Sequence, residues 1–196
     1  MRHLLSLILC FGCALSGMGG SGTKDDPWLV GYPRRSDVRA VLDAGVLSIE
    51  GTGAMQDWNN DDPPWRNTTY TEIEIGDDIT YIGARSFVGG WNAVSVRLGN
   101  GIVSIGNDAF NGCSNVIEVE LPVSVCSIGN SSFANCYSLR SLSLSPSLTN
   151  VANWAFSNCK SIVRVDVPRG VKIIGSGAFS ACEALQEIVL REGLEE

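Results

Sequence analysis

Seven cysteines, one histidine and a regular series of carboxylates are the residues of this 196-residue chain that could do chemistry. Four cysteines, Cys113, Cys136, Cys159 and Cys182, recur every 23 residues. That spacing stacks them in a column, whereas a zinc site needs thiolates converging from different directions, usually from close cysteine pairs. Parallel side chains also fit disulfide geometry poorly, so the column reads as small buried filler. Cys126 lies off the column at a turn position and reads as an exposed thiol, free to pair with a partner. The only histidine, His3, falls in an N-terminal leader, so the mature chain has no Ser/His or Cys/His nucleophile pair. Paired carboxylates for glycoside hydrolysis remain in principle, but they sit in a regular column with no irregular loop to close a pocket over them. The loop Asp57–Asp62 is rich in oxygen ligands yet lacks the glycine and distal glutamate of a calcium loop, and reads as a capping loop. The expectation is a non-enzyme with no cofactor and no metal.

The carboxylates fall into two columns at the same period. One reads Glu74, Arg97, Glu120, Ser143, Asp166, Val189; its neighbour reads Glu72, Ser95, Glu118, Ser141, Arg164, Glu187. Together they form a candidate protein-binding face, acidic in balance, carried by Glu72, Glu74, Arg97, Glu118, Glu120, Ser141, Ser143, Arg164, Asp166 and Glu187. The alternative is a solvated sheet stitched by cross-strand ion pairs, Arg97 between Glu74 and Glu120 above all. A net charge of −7 argues against nucleic acid and anionic membrane surfaces, which need clustered Lys and Arg.

A strict repeat must position these columns. Ile82-Gly83-Ala84-Arg85-Ser86-Phe87 returns at Ile105, Ile128, Val151 and Ile174, each copy 23 residues after the last. Such a period marks a solenoid in which each copy is one rung. Between the phrases lie apolar pairs spaced by two: Ile73/Ile75, Val96/Leu98, Val119/Leu121, Leu142/Leu144, Val165/Val167 and Ile188/Leu190. Residues spaced by two share one face of a strand, so six rungs are expected. Further apolar columns precede the pairs (Ala93, Val116, Leu139, Ile162, Leu185) and follow them (Ile79, Ile102, Val125, Leu148, Val171, Leu194). The strand feeds a turn, and the Ile-Gly-x-x-Ala-Phe segment returns along the other side as short helical or 3-10 turns. One rung buries too little to offset its own ordering entropy, so stability must come from stacking.

Four regions follow. Residues 1–19 combine Met1-Arg2-His3 with the apolar run Leu4–Leu15 and small residues after it. The run is too short to cross a bilayer and reads as a signal peptide; Gly12-Cys13 offers a weaker lipoprotein alternative. Residues 20–36 read as a Gly, Ser, Asp and Pro-rich lead-in or tether on which Trp28-Leu29-Val30 docks. Residues 37–66 read as an N-terminal cap, a β-hairpin with an Asp/Gly turn followed by Trp58 and Trp65. Residues 67–196 hold the repeats. The period breaks off at Glu196, where another Ile-Gly is due; the array is expected to continue beyond it, or its last strand to be shielded in another way.

The pattern Ile-Gly-x-x-Ala-Phe-x-x-Cys-x-x-Leu-x-x-Val-x-Leu-Pro resembles the BspA-type leucine-rich repeats of bacterial surface proteins. Ile105–Pro122 and Ile174–Leu190 carry it best, and Leu47–Met55 with Pro64-Trp65 resembles the lead-in found before such arrays. Val151-Ala152 for Ile-Gly, Gly90 for the first Cys and Ser145-Pro146 for Leu-Pro depart from it without breaking the period. The resemblance implies a secreted or cell-surface protein that binds host or extracellular matrix proteins, with no membrane span in the mature chain. A spacer that binds nothing is the alternative, and a glycan-binding module using Trp58, Trp65 or Trp91 is a third.

Overall fold

In the computed structural model, which describes residues 20–59, 61–192 and 194–195, each 23-residue copy makes one turn of a coil with two long sides. The leader read over residues 1–19, Cys13 included, lies outside the described residues. On the front, short parallel strands lie side by side: β6 (Glu72–Ile75), β8 (Ser95–Arg97), β10 (Glu118–Glu120), β12 (Ser141–Ser143), β14 (Arg164–Asp166) and β16 (Glu187–Val189). The registers Ile73↔Val96, Val119↔Leu142 and Val165↔Ile188 place the apolar columns shoulder to shoulder, as the spacing requires. Ladder bonds join these strands two by two, β6 with β8, β10 with β12 and β14 with β16. On the back run β7 (Ile79–Ile82), β9 (Ser104–Ile105), β11 (Ser127–Ile128), β13 (Asn150–Val151) and β15 (Ile173–Ile174). The interior between the sides is a single apolar column.

The return segment differs from the short helices expected there. Among the described residues the only helical turn is a 3-10 segment at Arg35–Asp37, ahead of the repeats. The reason lies in the backbone. The fourth residue of each copy, counted from the Ile or Val that opens it, is left-handed (Arg85, Asp108, Ser131, Trp154, Gly177), and so is the eighth (Gly89, Gly112, Asn135, Asn158, Ala181). A left-handed residue at every fourth position cannot continue a right-handed helix. It turns alternate amides outward instead: Arg85, Phe87 and Gly89 donate to the carbonyls of Asn107, Ala109 and Asn111 one rung on, at 2.9, 2.7 and 2.7 Å. The same ladder repeats at residues 108–112, 131–135 and 154–158. Rungs approach so closely here that a Cβ on Gly106 would stand 2.5 Å from the Ala84 amide nitrogen, which no ordinary side chain tolerates.

Phenylalanines form the spine. Phe87, Phe110, Phe133, Phe156 and Phe179 stack with centroids 5.0, 5.1, 5.5 and 5.6 Å apart and planes within 13°. Beside them each thiol of the cysteine column donates to the Phe carbonyl of an earlier rung: Cys113 to Phe87, Cys136 to Phe110, Cys159 to Phe133 and Cys182 to Phe156, at 3.2–3.4 Å. Burial pushes the Cys113 thiol up to about 12. The column is filler, as its spacing suggests, with a weak hydrogen bond added.

The cap is a rung in disguise. Its hairpin, β3 (Val38–Asp43) with β4 (Val46–Gly51), closes on Ala44 and Gly45, both at positive φ, the two-residue turn that suits strand twist. β4 lies parallel to β6 with Leu47↔Ile73 and Ile49↔Ile75, while β5 (Gly53–Met55) lies parallel to β7. Trp65 then occupies the aromatic position ahead of Phe87, 5.8 Å away, and Tyr70 brings its hydroxyl within 2.9 Å of where a Cβ of Gly90 would stand. Gly90 departs from the cysteine pattern because the cap already fills that space. The lead-in is not a free tether. β1 (Trp28–Leu29) pairs with β3, β2 (Gly31–Tyr32) pairs with β5, and Trp28 and Val30 are buried. Their apolar side chains gain more from the cap's open flank than from water.

Candidate functional site

Front strands β8, β10, β12 and β14 each set only their middle residue inward. In β10 the pattern is exposed, buried, exposed over Glu118, Val119 and Glu120, the period of two that sets one face of a sheet to solvent. Every residue of the two columns read from the sequence lies on this front. Glu72 and Glu74 are half-buried beside the cap, and Arg97, Glu118, Glu120, Ser141, Ser143, Arg164, Asp166 and Glu187 are exposed.

The ion pairs divide these residues into two sets. Arg97 Nη1 meets Glu74 Oε1 at 2.7 Å and does not bridge to Glu120, because β8 is laddered to β6 and not to β10. Arg164 pairs with Glu187. Asp166 is held in a fork by Arg191, Nε and Nη2 donating at 3.0 and 2.8 Å. The Arg191 hydrogen bond keeps the Asp166 carboxyl below its usual range. Arg191 escaped the sequence reading because it stands in the turn column that holds Pro122 and Pro168, beyond the strand. Among the described residues, Glu72, Glu118 and Glu120 have no ion-pair partner, and Glu118 accepts one bond, from Ser141 Oγ at 3.3 Å.

An apolar lip borders the free carboxylates. Val94, Ile117 and Val163, each one residue ahead of a front strand, are 45, 51 and 46% exposed. Where β8 and β10 lack ladder bonds, Val94, Val96, Leu98 and Ile117 line an open cleft of about 550 Å³ together with Arg97, Glu118 and Glu120. Apolar wall, unpaired carboxylates and shallow opening suit a segment of another polymer better than an enclosed small molecule.

The other candidates resolve differently. Trp58 and Trp65, at 1 and 0% exposed, are core and offer no platform to a glycan; they pack edge to face at 5.7 Å. Trp91 is exposed, and so is Trp154, which the repeat pattern did not single out. Asp57 is spent on structure: its Oδ1 accepts from the Tyr81 hydroxyl and the Ala84 amide, both at 2.7 Å. Burial and that carboxylate push the Tyr81 hydroxyl upward. Cys126 is half-buried, its thiol 3.4 Å from the Val103 carbonyl. Among the described residues no three His, Cys, Asp or Glu side chains are grouped so as to hold a metal ion.

A family model described as a BspA type leucine rich repeat region matches residues 64–186 in six copies. Among solved structures, a leucine-rich repeat protein of T. pallidum is similar at a TM-score of 0.67 and 21% identity, covering 80% of this chain and 81% of that one. A pneumococcal vaccine antigen is similar at 0.60 and 20%, covering 81% and 49%. A leucine rich cell surface protein of Faecalibacterium prausnitzii is similar at 0.53 and 21%, covering 78% and 52%, so the chain spans about half of those two proteins. No curated protein matches the sequence.

Proposed function

The chain belongs to the BspA-type leucine-rich repeat family, and from that premise we propose that it is an exported cell-surface module that binds another protein across its front strands. The carrying observation is the cleft between β8 and β10, where Val94 and Ile117 stand exposed beside Glu118 and Glu120, which have no ion-pair partner among the described residues because Arg97, on the same cleft, is taken by Glu74. An apolar strip flanked by uncompensated carboxylates is complementary to a partner segment carrying apolar and basic side chains. Host or extracellular matrix proteins are the partner class that the family suggests. The leader at residues 1–19 supports export, and a structural neighbour described as a cell surface protein agrees with it. Among the described residues no helix is long and apolar enough to cross a membrane.

The test is a triple variant, I117D/E118K/E120K, assayed for attachment to cultured epithelial cells and to decellularised matrix. These side chains are exposed, so the fold should survive, which circular dichroism checks. Attachment should fall at least about tenfold, the loss of roughly one hot-spot contact. Unchanged attachment by the folded variant would favour a spacer.

A further inference from the structure

At the junction of cap and first rung, residues 66–70 arch over the turn at residues 88–92 and enclose a recess of about 270 Å³. Both ends of the arch are pinned. Trp65 is buried in the aromatic spine and donates its Nε1–H to the Ser86 carbonyl at 2.8 Å; Tyr70 is buried under Gly90. The turn opposite is also held, since Asn115 Nδ2 donates to the Trp91 carbonyl at 2.7 Å. Trp91 contributes an indole 62% exposed, and Arg66, Asn67, Thr69 and Asn92 supply polar groups around it. Gly89 leaves the space open: at φ 70° it has no atom within 4 Å of where a Cβ would stand. The next rung also has glycine at this left-handed position, Gly112, but a Cβ there would meet Gly89 at 3.4 Å, and later rungs place Asn135 and Asn158 in it.

We propose that this recess is a carbohydrate-binding subsite for a neutral oligosaccharide, one sugar ring laid against Trp91 and its hydroxyls met by Arg66, Asn67, Thr69 and Asn92. The negative face of an indole attracts polarised C–H bonds, and a sugar presents a face of them. Amide, hydroxyl and guanidinium groups together offer the mixed donors and acceptors that neighbouring hydroxyls require. Competing chemistries fit less well. The lining supplies Arg66, itself paired with Asp62 at 3.4 Å, and no carboxylate to hold a cation over the ring. The net charge of −7 repels a polyanion. A proline-rich peptide wants a groove of several aromatic rings, and Trp91 is the one exposed aromatic of this lining.

The experiment titrates the purified full-length chain with cello-, chito-, malto- and manno-oligosaccharides, neutral hexamers at millimolar concentration, by calorimetry. At least one series should bind. W91A should weaken that binding at least about tenfold. G89N should weaken it comparably by filling the recess, while the fold tolerates asparagine there as it does at Asn135 and Asn158. W154A removes an exposed tryptophan of the return side and should leave affinity unchanged. No binding by any series, or wild-type affinity in W91A, overturns the proposal and leaves the reading of the front strands standing.

Discussion

Replacing Phe133 by alanine should destabilise the protein by about 4 kcal/mol, several times the effect of the same change at Phe179. Phe133 is fully buried, with Phe110 at 5.1 Å and Phe156 at 5.5 Å on its two faces. Truncating a core phenylalanine costs about 3–5 kcal/mol, and each aromatic pair adds about 0.5–1.5 kcal/mol beyond burial, part of it already inside that figure. Phe179 is only partly buried and has one stacking partner, Phe156, at 5.6 Å, so about 1–2 kcal/mol is expected there. Against a total stability of about 5–15 kcal/mol, the first change removes about a quarter or more. The location matters as much as the size. Rungs are held by nearest-neighbour interfaces, and Phe133 touches both neighbours, so its loss should uncouple the two halves. Urea titration followed by circular dichroism and tryptophan fluorescence reads both effects: Trp28, Trp58 and Trp65 report the cap, Trp154 the later rungs. Wild type should unfold in one transition, and F133A should split it. If F133A and F179A lie within about 1 kcal/mol of each other and both unfold in one step, the stack is incidental and the coupling argument fails.

Alkaline pH should unfold the protein through its thiols. Burial raises Cys113 to about 12 and Cys182 to about 11, and Cys136 is lifted by the Cys159 thiol beside it together with burial. The folded state therefore keeps these protons while the unfolded chain loses them. Their contribution is fully present below about pH 8.5, where the unfolded thiols are still protonated, and is lost as pH rises through the folded values. Each fully buried thiol should add about 1.4 kcal/mol per pH unit to the fall; a shallower slope in C113A, read as melting temperature against pH, checks this. Native alkylation at neutral pH should label Cys126 well before Cys113, as mass spectrometry would record. G177A should cost about 1–3 kcal/mol, since its Cβ would lie 2.5 Å from the Trp154 ring at φ 64°, and a W154S background should recover the steric part. R97A should cost under about 1 kcal/mol, because its pair with Glu74 is solvent-screened at a 73% exposed side chain; salt should shrink the effect.

The period, the rung count and the inward columns were legible because a solenoid writes its core into sequence at fixed intervals, and Val119, Leu142 and Val165 stand where that arithmetic puts them. The first rung was harder to read. Leu47 to Ile73 spans 26 residues, and tryptophan replaces phenylalanine, so the cap follows the geometry of the repeat without its spelling. The return side misled for another reason: left-handed residues are tolerated by side chains as unlike as Arg85, Ser131 and Trp154, so no residue type announces them. At the candidate site the columns were correct and the partners were not. Arg97 has acids on both sides in sequence, and which one it takes depends on which strand shares its ladder. Arg191 reaches Asp166 from a turn, a distance in space that periodicity does not encode.

The two long sides differ in how much of their bonding capacity is already used, and that decides where a partner can dock. On the back, alternate amides donate to the next rung, the Asn111–Asn135–Asn158 side chains bond to one another at 2.8 and 2.9 Å, and Asn107 and Asn153 accept from the amides of Asn130 and Ser176. A ligand there would have to displace bonds the array already makes, and each buried group left unmet costs about 1–3 kcal/mol. The front imposes no such cost. Its strands bond edge to edge through the backbone, so the side chains of Glu118 and Glu120 are dispensable to the fold. The third position of a front strand can change identity from rung to rung without touching the core, as Arg97, Glu120, Ser143 and Asp166 illustrate. A surface whose residues are free to vary while the spine of phenylalanines stays fixed is where recognition can be written, and in this chain it is written between β8 and β10.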